Sequence, residues 1–146
     1  MICAARISGL RRVMYRRDYI LRLIERLGRV LLSLRDRILG READTPEVMS
    51  QIEEIAQQAG VDLPLARRLD PASLVMWLAP GDDFDHGRVW LVAELLSLSG
   101  LQAGTAGAGD LTRARALFAR LPGDYRPSAD LPSAGERATE LKDHLV

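Results

Sequence analysis

Apolar positions in this chain recur at alternating four- and three-residue steps, most regularly between Asp18 and Gly40, where Ile20, Ile24, Leu27, Leu31, Leu34 and Ile38 fall in line. An α-helix turns once every 3.6 residues, so this spacing lays the six side chains along one seam. It predicts a first helix from about Arg16 to Leu39, ended by Gly40 as a left-handed cap. The opposite face carries Arg22, Glu25, Arg26, Arg29, Ser33, Asp36 and Arg37, with Asp18 to Arg22 and Glu25 to Arg29 at the supportive i,i+4 spacing. The six seam residues must be covered, either by the chain's own bundle or by a second chain, which makes them a candidate assembly seam.

The same periodicity organises the remainder. Thr45-Pro46-Glu47 offers a capping hydroxyl, a proline at the first helical position and an acid in the first turn, and opens a second helix that runs to Ala59-Gly60. Val48, Ile52, Ile55 and Ala59 form its apolar stripe. Glu47, Glu53 and Glu54 give it the sign opposite to helix one, so an antiparallel hairpin of the two is expected. Val61 to Leu69 reads as a connector or short helix. Asp70-Pro71 then starts a short helix over Ala72 to Ala79, stopped by Pro80-Gly81, whose unbroken run from Leu74 to Leu78 predicts burial.

Asp85 caps a helix that is apolar on nearly every side from Val89 to Leu98, as the central element of a bundle should be. Gln102 to Gly109 reads as a glycine-rich mobile link, and Asp110 caps a helix with Leu111, Ala114, Phe118 and Leu121 on one stripe, ended by Pro122-Gly123. Asp124 to Pro132 is expected to be irregular. Ser133-Ala-Gly-Glu136, a capping-box pattern, opens a last short helix to His144. The expected fold is all-α, a small bundle of about five to six helices. One domain spans 14–146, with its core at about 16–122 and a C-terminal loop and short helix over 123–146. Residues 1–13 form a flexible extension, since the recognisable pattern begins after Met14.

Composition adds bounds. A chain of 146 residues, 47% apolar and 27% charged, suits a single domain with a real core. Its zero formal charge hides an asymmetry: residues 1–40 hold ten arginines against three acids (+7), and the rest holds ten basic against seventeen acidic residues (−7). A basic first helix can pack against acidic segments of its own fold, or it can present Arg22, Arg26 and Arg29 to anionic lipid or nucleic acid. Nineteen of the twenty basic residues are arginine and asparagine is absent, the bias of a GC-rich bacterial genome. The lone Cys3 allows no intramolecular disulfide and favours the cytoplasm. Arg16-Arg17 resembles a twin-arginine export signal, but Arg22, Glu25, Arg26 and Arg29 stand where an uncharged core is required. The longest uncharged stretch, Leu95 to Gly109, dissolves into Gly, Ser and Thr, so no spanning helix is expected.

Candidate chemistry is sparse. Counting Asp83 as the first position of a calcium loop puts Asp85 at three and Glu94 at twelve, but Gly87 falls where an oxygen ligand is needed and Arg88 where glycine is needed. The acids around Asp85 read as a helix N-cap, and no metal or other cofactor is expected. The two histidines, His86 and His144, have no nucleophile motif around them. Glu94, the lone charge in an apolar helix, calls for a core-facing arginine such as Arg35. Trp77 and Trp90 read as bulky core residues. The arginine-rich region lacks the interleaved aromatics of single-strand readers, which speaks against nucleic acid as a partner.

Gly109-Asp-Leu-Thr-Arg-Ala-Arg-Ala-Leu-Phe-Ala-Arg-Leu121 resembles the second helix of a tetratricopeptide repeat, with Gly109 and Asp110 at that repeat's Gly-Asp pair, Ala114 at its small position and Phe118 at its aromatic one. The resemblance implies a helical hairpin with the Trp90 helix. It implies no peptide groove, because such arrays need about three stacked repeats. Asp18-Tyr-Ile-Leu-Arg-Leu-Ile-Glu25, together with the later Leu-Asp-Pro, Leu-Ala-Pro-Gly-Asp-Asp-Phe-Asp and Ala-Glu-Leu-Leu segments, is similar to a group of small bacterial all-helical proteins known only as a domain of unknown function. That likeness implies the fold and no activity. The expectation is a non-enzymatic protein–protein interaction or oligomerisation module whose partner is itself or another protein. One alternative is a peripheral membrane protein using the basic amphipathic helix 16–39, and another is a weak nucleic-acid binder. Burying six Leu or Ile side chains is worth about 9 to 18 kcal/mol before entropy losses, whereas each arginine near anionic lipid contributes about 1 kcal/mol. Packing is therefore favoured over surface adsorption.

Overall fold

A computed structural model describes residues 2–42 and 44–145, with side chains from Arg17 onward. Among the described residues the fold is all-α, a small helical bundle without strands. Helix α1 (Ile2–Leu39) begins at Ile2 rather than near Arg16, and its 38 residues span about 57 Å. The side chains of the expected extension, residues 1–13, lie outside the described residues. Helix α2 (Thr45–Ala59) follows, then α3 (Leu63–Arg68), which takes up the expected connector, and α4 (Pro71–Leu78). Helix α5 (His86–Ala103), a 3-10 turn (Gly104–Gly107), α6 (Ala108–Arg120) and α7 (Ala134–Leu145) complete the chain.

The centre is α5. Every residue from Val89 to Gly100 is buried, because α1, α2 and α6 pack around it on different sides. The Trp90 indole meets the Phe118 ring of α6 edge-on, with centroids 6.2 Å apart at 73°. Ile20, Ile24, Leu31, Leu34 and Ile38 of α1 are buried in this core, and Leu27 packs partly buried against it. Of the two coverings open to the seam, the chain's own bundle supplies one: the all-round apolar surface of α5 packs over it. The hairpin expected of α1 and α2 is loose, since α2 packs chiefly on α5 and touches α1 lightly. Its N-cap is Asp44 rather than Thr45, which instead accepts a hydrogen bond from Gln102 Nε2 at 2.6 Å.

Two further expectations change. The Gln102–Gly109 stretch is helical or 3-10 rather than a mobile link. Gly107 serves close approach: a Cβ there would overlap the Gly100 carbonyl, so only glycine lets α6 turn back along α5. Helix α4 is the second case. Its eight residues make two turns, of which Leu74 alone is buried, while Val75 and Leu78 lie at the margin. Met76 is 74% and Trp77 44% exposed, so Trp77 is not a core residue. The stretch His86–Arg120 is apolar enough by composition to cross a bilayer, but it is divided by the turn at Gly104–Gly107, and 67% of its most apolar window is buried in the bundle.

Candidate functional site

Two places concentrate polar chemistry. The first is inside. Arg35 lies four residues after Leu31 and three before Ile38, so it projects from the core-facing edge of α1, where it meets Glu94 of α5 as expected. Glu94 Oε1 accepts from Arg35 Nη1 at 3.1 Å and from Arg137 Nη2 of α7 at 3.1 Å, and its Oε2 accepts from Arg137 Nε at 2.8 Å. Ser97 Oγ takes a further bond from Arg35 Nη1 at 3.0 Å. Glu140 closes the ring, accepting from Arg35 Nε at 3.0 Å and from Arg137 Nη1 at 3.0 Å. Arg35 Nη2 also stands 2.7 Å from Glu140 Oε1, but off the direction a hydrogen bond requires. Burial works to raise the Glu140 carboxyl, and the guanidinium groups of Arg35 and Arg137 outweigh it, holding the group below the ordinary carboxylate range. With both Glu94 oxygens committed to arginine and none of the residue exposed, this carboxylate has no access to a dissolved substrate. The ring fastens α1, α5 and α7 together.

Sequence reasoning found Arg35 and missed Arg137. The signal available was local: Arg137 and Glu140 are spaced i,i+3 just behind a capping box. That box forms, with Glu136 N donating to Ser133 Oγ at 3.2 Å and Ser133 N to Glu136 Oε2 at 3.3 Å, and it sets the angle at which α7 returns to the core. Asp110 does not cap α6, which starts at Ala108. Its carboxylate instead accepts from Ser99 Oγ at 3.1 Å and from Arg67 Nε at 3.3 Å, tying α3 to α5 and α6.

The second place is on the surface, where α5 begins. Asp85 caps that helix by accepting from Arg88 N at 3.1 Å. Two shallow clefts meet here. One, of about 270 Å³, runs between Tyr19, Gln58, Gly60 and Arg88. The other, of about 350 Å³, runs between Trp77, Pro80, Phe84 and Arg88. The Tyr19 hydroxyl donates to Gln58 O at 3.0 Å, fixing the far wall of the first. Arg17 pairs with Asp83 at 3.1 Å on the rim of the second. Arg88 walls both clefts. Its Nε is buried without a hydrogen-bond partner, and among the described residues no carboxylate lies within ion-pairing distance of it.

Phe84 carries the Arg120 guanidinium over its face at 4.6 Å and the His86 ring at its edge, also at 4.6 Å. His86 in turn stacks near Tyr125 at 5.3 Å, which absorbs that histidine into packing. Burial, with the Asp85 charge nearby, pushes the Tyr125 phenol up to about 12. Asp83 turns to Arg17, and Glu94 to the buried arginines. Among the described residues no three His, Cys, Asp or Glu side chains converge on a cation position.

Arg22, Arg26 and Arg29 are exposed on α1 and have no ion-pair partner among the described residues. Arg29 and Arg37 border a cleft of about 260 Å³ with Val30, Ser33 and Gln51. These arginines stand on the face opposite the buried seam and do not converge with Arg88. Comparison of the chain with family models, curated proteins and solved structures gave no match.

Proposed function

We propose that this chain is a non-enzymatic interaction module that docks an extended segment of another protein on the surface formed by Trp77 and Met76. The observation that carries the reading is Trp77, an exposed indole beside an open cleft in a chain with room to bury its other tryptophan completely. Large aromatic side chains dominate the energetics of protein interfaces, and an adjacent methionine adapts to varied partners. The patch is braced. Asp70 caps α4 by accepting from Ser73 N at 2.7 Å, a bond that also holds its carboxyl below the ordinary range. Arg113 donates to Leu69 O at 2.7 Å, fixing the chain just before that cap. A rigid apolar surface loses little conformational entropy on binding.

The membrane alternative keeps its arginines and loses its seam. With the six apolar residues packed against the core, headgroup attraction of about 1 kcal/mol per arginine acts almost alone, and the exposed Glu25 and Asp36 oppose it. The nucleic-acid alternative rests on the same three charges. The interaction reading is tested by placing a photo-crosslinking amino acid at Trp77 in cells and, as a control, at the exposed Thr112 of α6. A discrete product at position 77 only, abolished by Met76→Glu, is the expected result. Identical products at both positions, or none at 77, overturn it, and a product of twice the chain's own mass identifies a second copy as the partner.

A further inference from the structure

The Trp77 surface continues into the two clefts that meet at Arg88. Buried polar atoms in native folds almost always have partners. Among the described residues three side-chain nitrogens lack one. Arg35 Nη2 lies beside Glu140, and Trp90 Nε1 is sealed in the core, so neither faces a space a ligand can enter. Arg88 Nε is itself enclosed, but the side chain lines two open clefts, and among the described residues no hydrogen bond or ion pair engages its guanidinium. Local acids do not serve it: Asp85 Oδ1 is engaged in the helix cap, and Asp83 pairs with Arg17. A guanidinium presents a planar fork of donors that matches a carboxylate. On either side stand the partly exposed rings of Tyr19 and Trp77.

Resting on the interaction reading above, we propose that this groove binds an extended peptide segment that gives one carboxylate side chain to Arg88, with an apolar side chain on each flank, one against Tyr19 and one against Trp77. Volumes near 270 and 350 Å³ lie just below and at the low end of the range for small-molecule sites, roughly 300 to 1,000 Å³. Two such clefts in series suit side chains laid along an open groove better than they suit one enclosed molecule. Asp83 and Asp85 at the rim oppose a doubly charged phosphate more strongly than a singly charged carboxylate.

The test is an NMR titration of the full chain with the N-acetylated, C-amidated peptide Leu-Ala-Glu-Ala-Leu and with its glutamine counterpart. The glutamate peptide is expected to move the Arg88 Nε–H and Trp77 indole resonances together and to bind at least about tenfold more tightly than the glutamine peptide. Arg88→Gln removes that preference while the thermal melt stays intact, and Arg88→Lys restores part of it. An Arg88 Nε–H resonance unmoved by millimolar glutamate peptide, equal affinities, or a preference that survives in Arg88→Gln overturns the proposal. If these fail while crosslinking at position 77 succeeds, the ligand chemistry is wrong and the interaction surface stands. If both fail, both are wrong.

Discussion

Replacing Glu94 by glutamine is the sharpest probe of how this fold is held. The substitution keeps the shape and removes one charge, leaving Arg35 and Arg137, both buried, to share the partly exposed Glu140. Part of the new amide is a donor facing the Arg137 donors that now point at Glu94. Removing one partner from a buried ion pair costs about 3 to 5 kcal/mol, chiefly because a charge is left without compensation. Against a total stability of about 5 to 15 kcal/mol, that is about a fifth or more of what a typical domain has. With a urea dependence of about 2 kcal/mol per molar, the unfolding midpoint falls by about 1.5 to 2.5 M. Far-UV circular dichroism during urea titration reads this directly.

The control replaces the whole ring with apolar residues, Arg35→Met, Glu94→Leu, Arg137→Met and Glu140→Leu together. It is expected to lie within about 1 kcal/mol of the native chain or above it, because no charge is then stranded. A Glu94→Gln chain within 1 kcal/mol of native stability, or a quadruple variant as unstable as the single one, refutes the argument that charge balance governs this site.

Other outcomes follow from neighbouring features. Glu140 titrates below its ordinary value of 4.5 in the folded chain, so the stability it adds is complete above about pH 4.5 and is lost as pH falls through the folded value. The difference between native and Glu140→Gln chains should therefore be constant from pH 5 to 7 and shrink in acid, and a difference that grows on acidification contradicts this. Gly107→Ala pushes a methyl group into the Gly100 carbonyl and should cost about 1 to 3 kcal/mol or more, whereas Gly109→Ala meets only the end of Arg113 and should stay within about 1 kcal/mol of native. Equal melting temperatures for the two would remove the close-approach account. Leu34→Ala should cost about 2 to 5 kcal/mol with no change in solution mass by light scattering. A lower mass with unchanged stability would restore the seam as an interface.

Much of the fold was legible because its elements obey local rules. The stripe Val48, Ile52, Ile55 and Ala59, the cap at Asp85 and the box at Ser133 and Glu136 are each written within a few residues of sequence. Arg35 was legible as the partner of Glu94 because a lone acid in an apolar helix demands one. Arg137 was not, since its meeting with Glu94 spans 43 positions and no periodicity records it. Trp77 misled because a continuous apolar run implies burial only when a helix is surrounded, and α4 touches the bundle along one side. The Gln102–Gly109 stretch misled because glycine marks freedom and tight approach with the same letter. Arg88 carried no signal beyond its poor fit to a calcium loop, and its isolation emerged only when α1, α2 and α4 were arranged around the start of α5.

The ring around Glu94 divides in an instructive way. Arg35 and Glu94 come from α1 and α5, while Arg137 and Glu140 both come from α7. Each half is electrically neutral. Helix α7 can thus lift from the bundle carrying its own cation and anion and leave behind a matched pair. For the interior, the transient departure of an entire helix is in this respect gentler than the permanent loss of one carboxylate. Hydrogen exchange is expected to register α7 as a unit that opens ahead of α5, because its departure strands no charge in the interior.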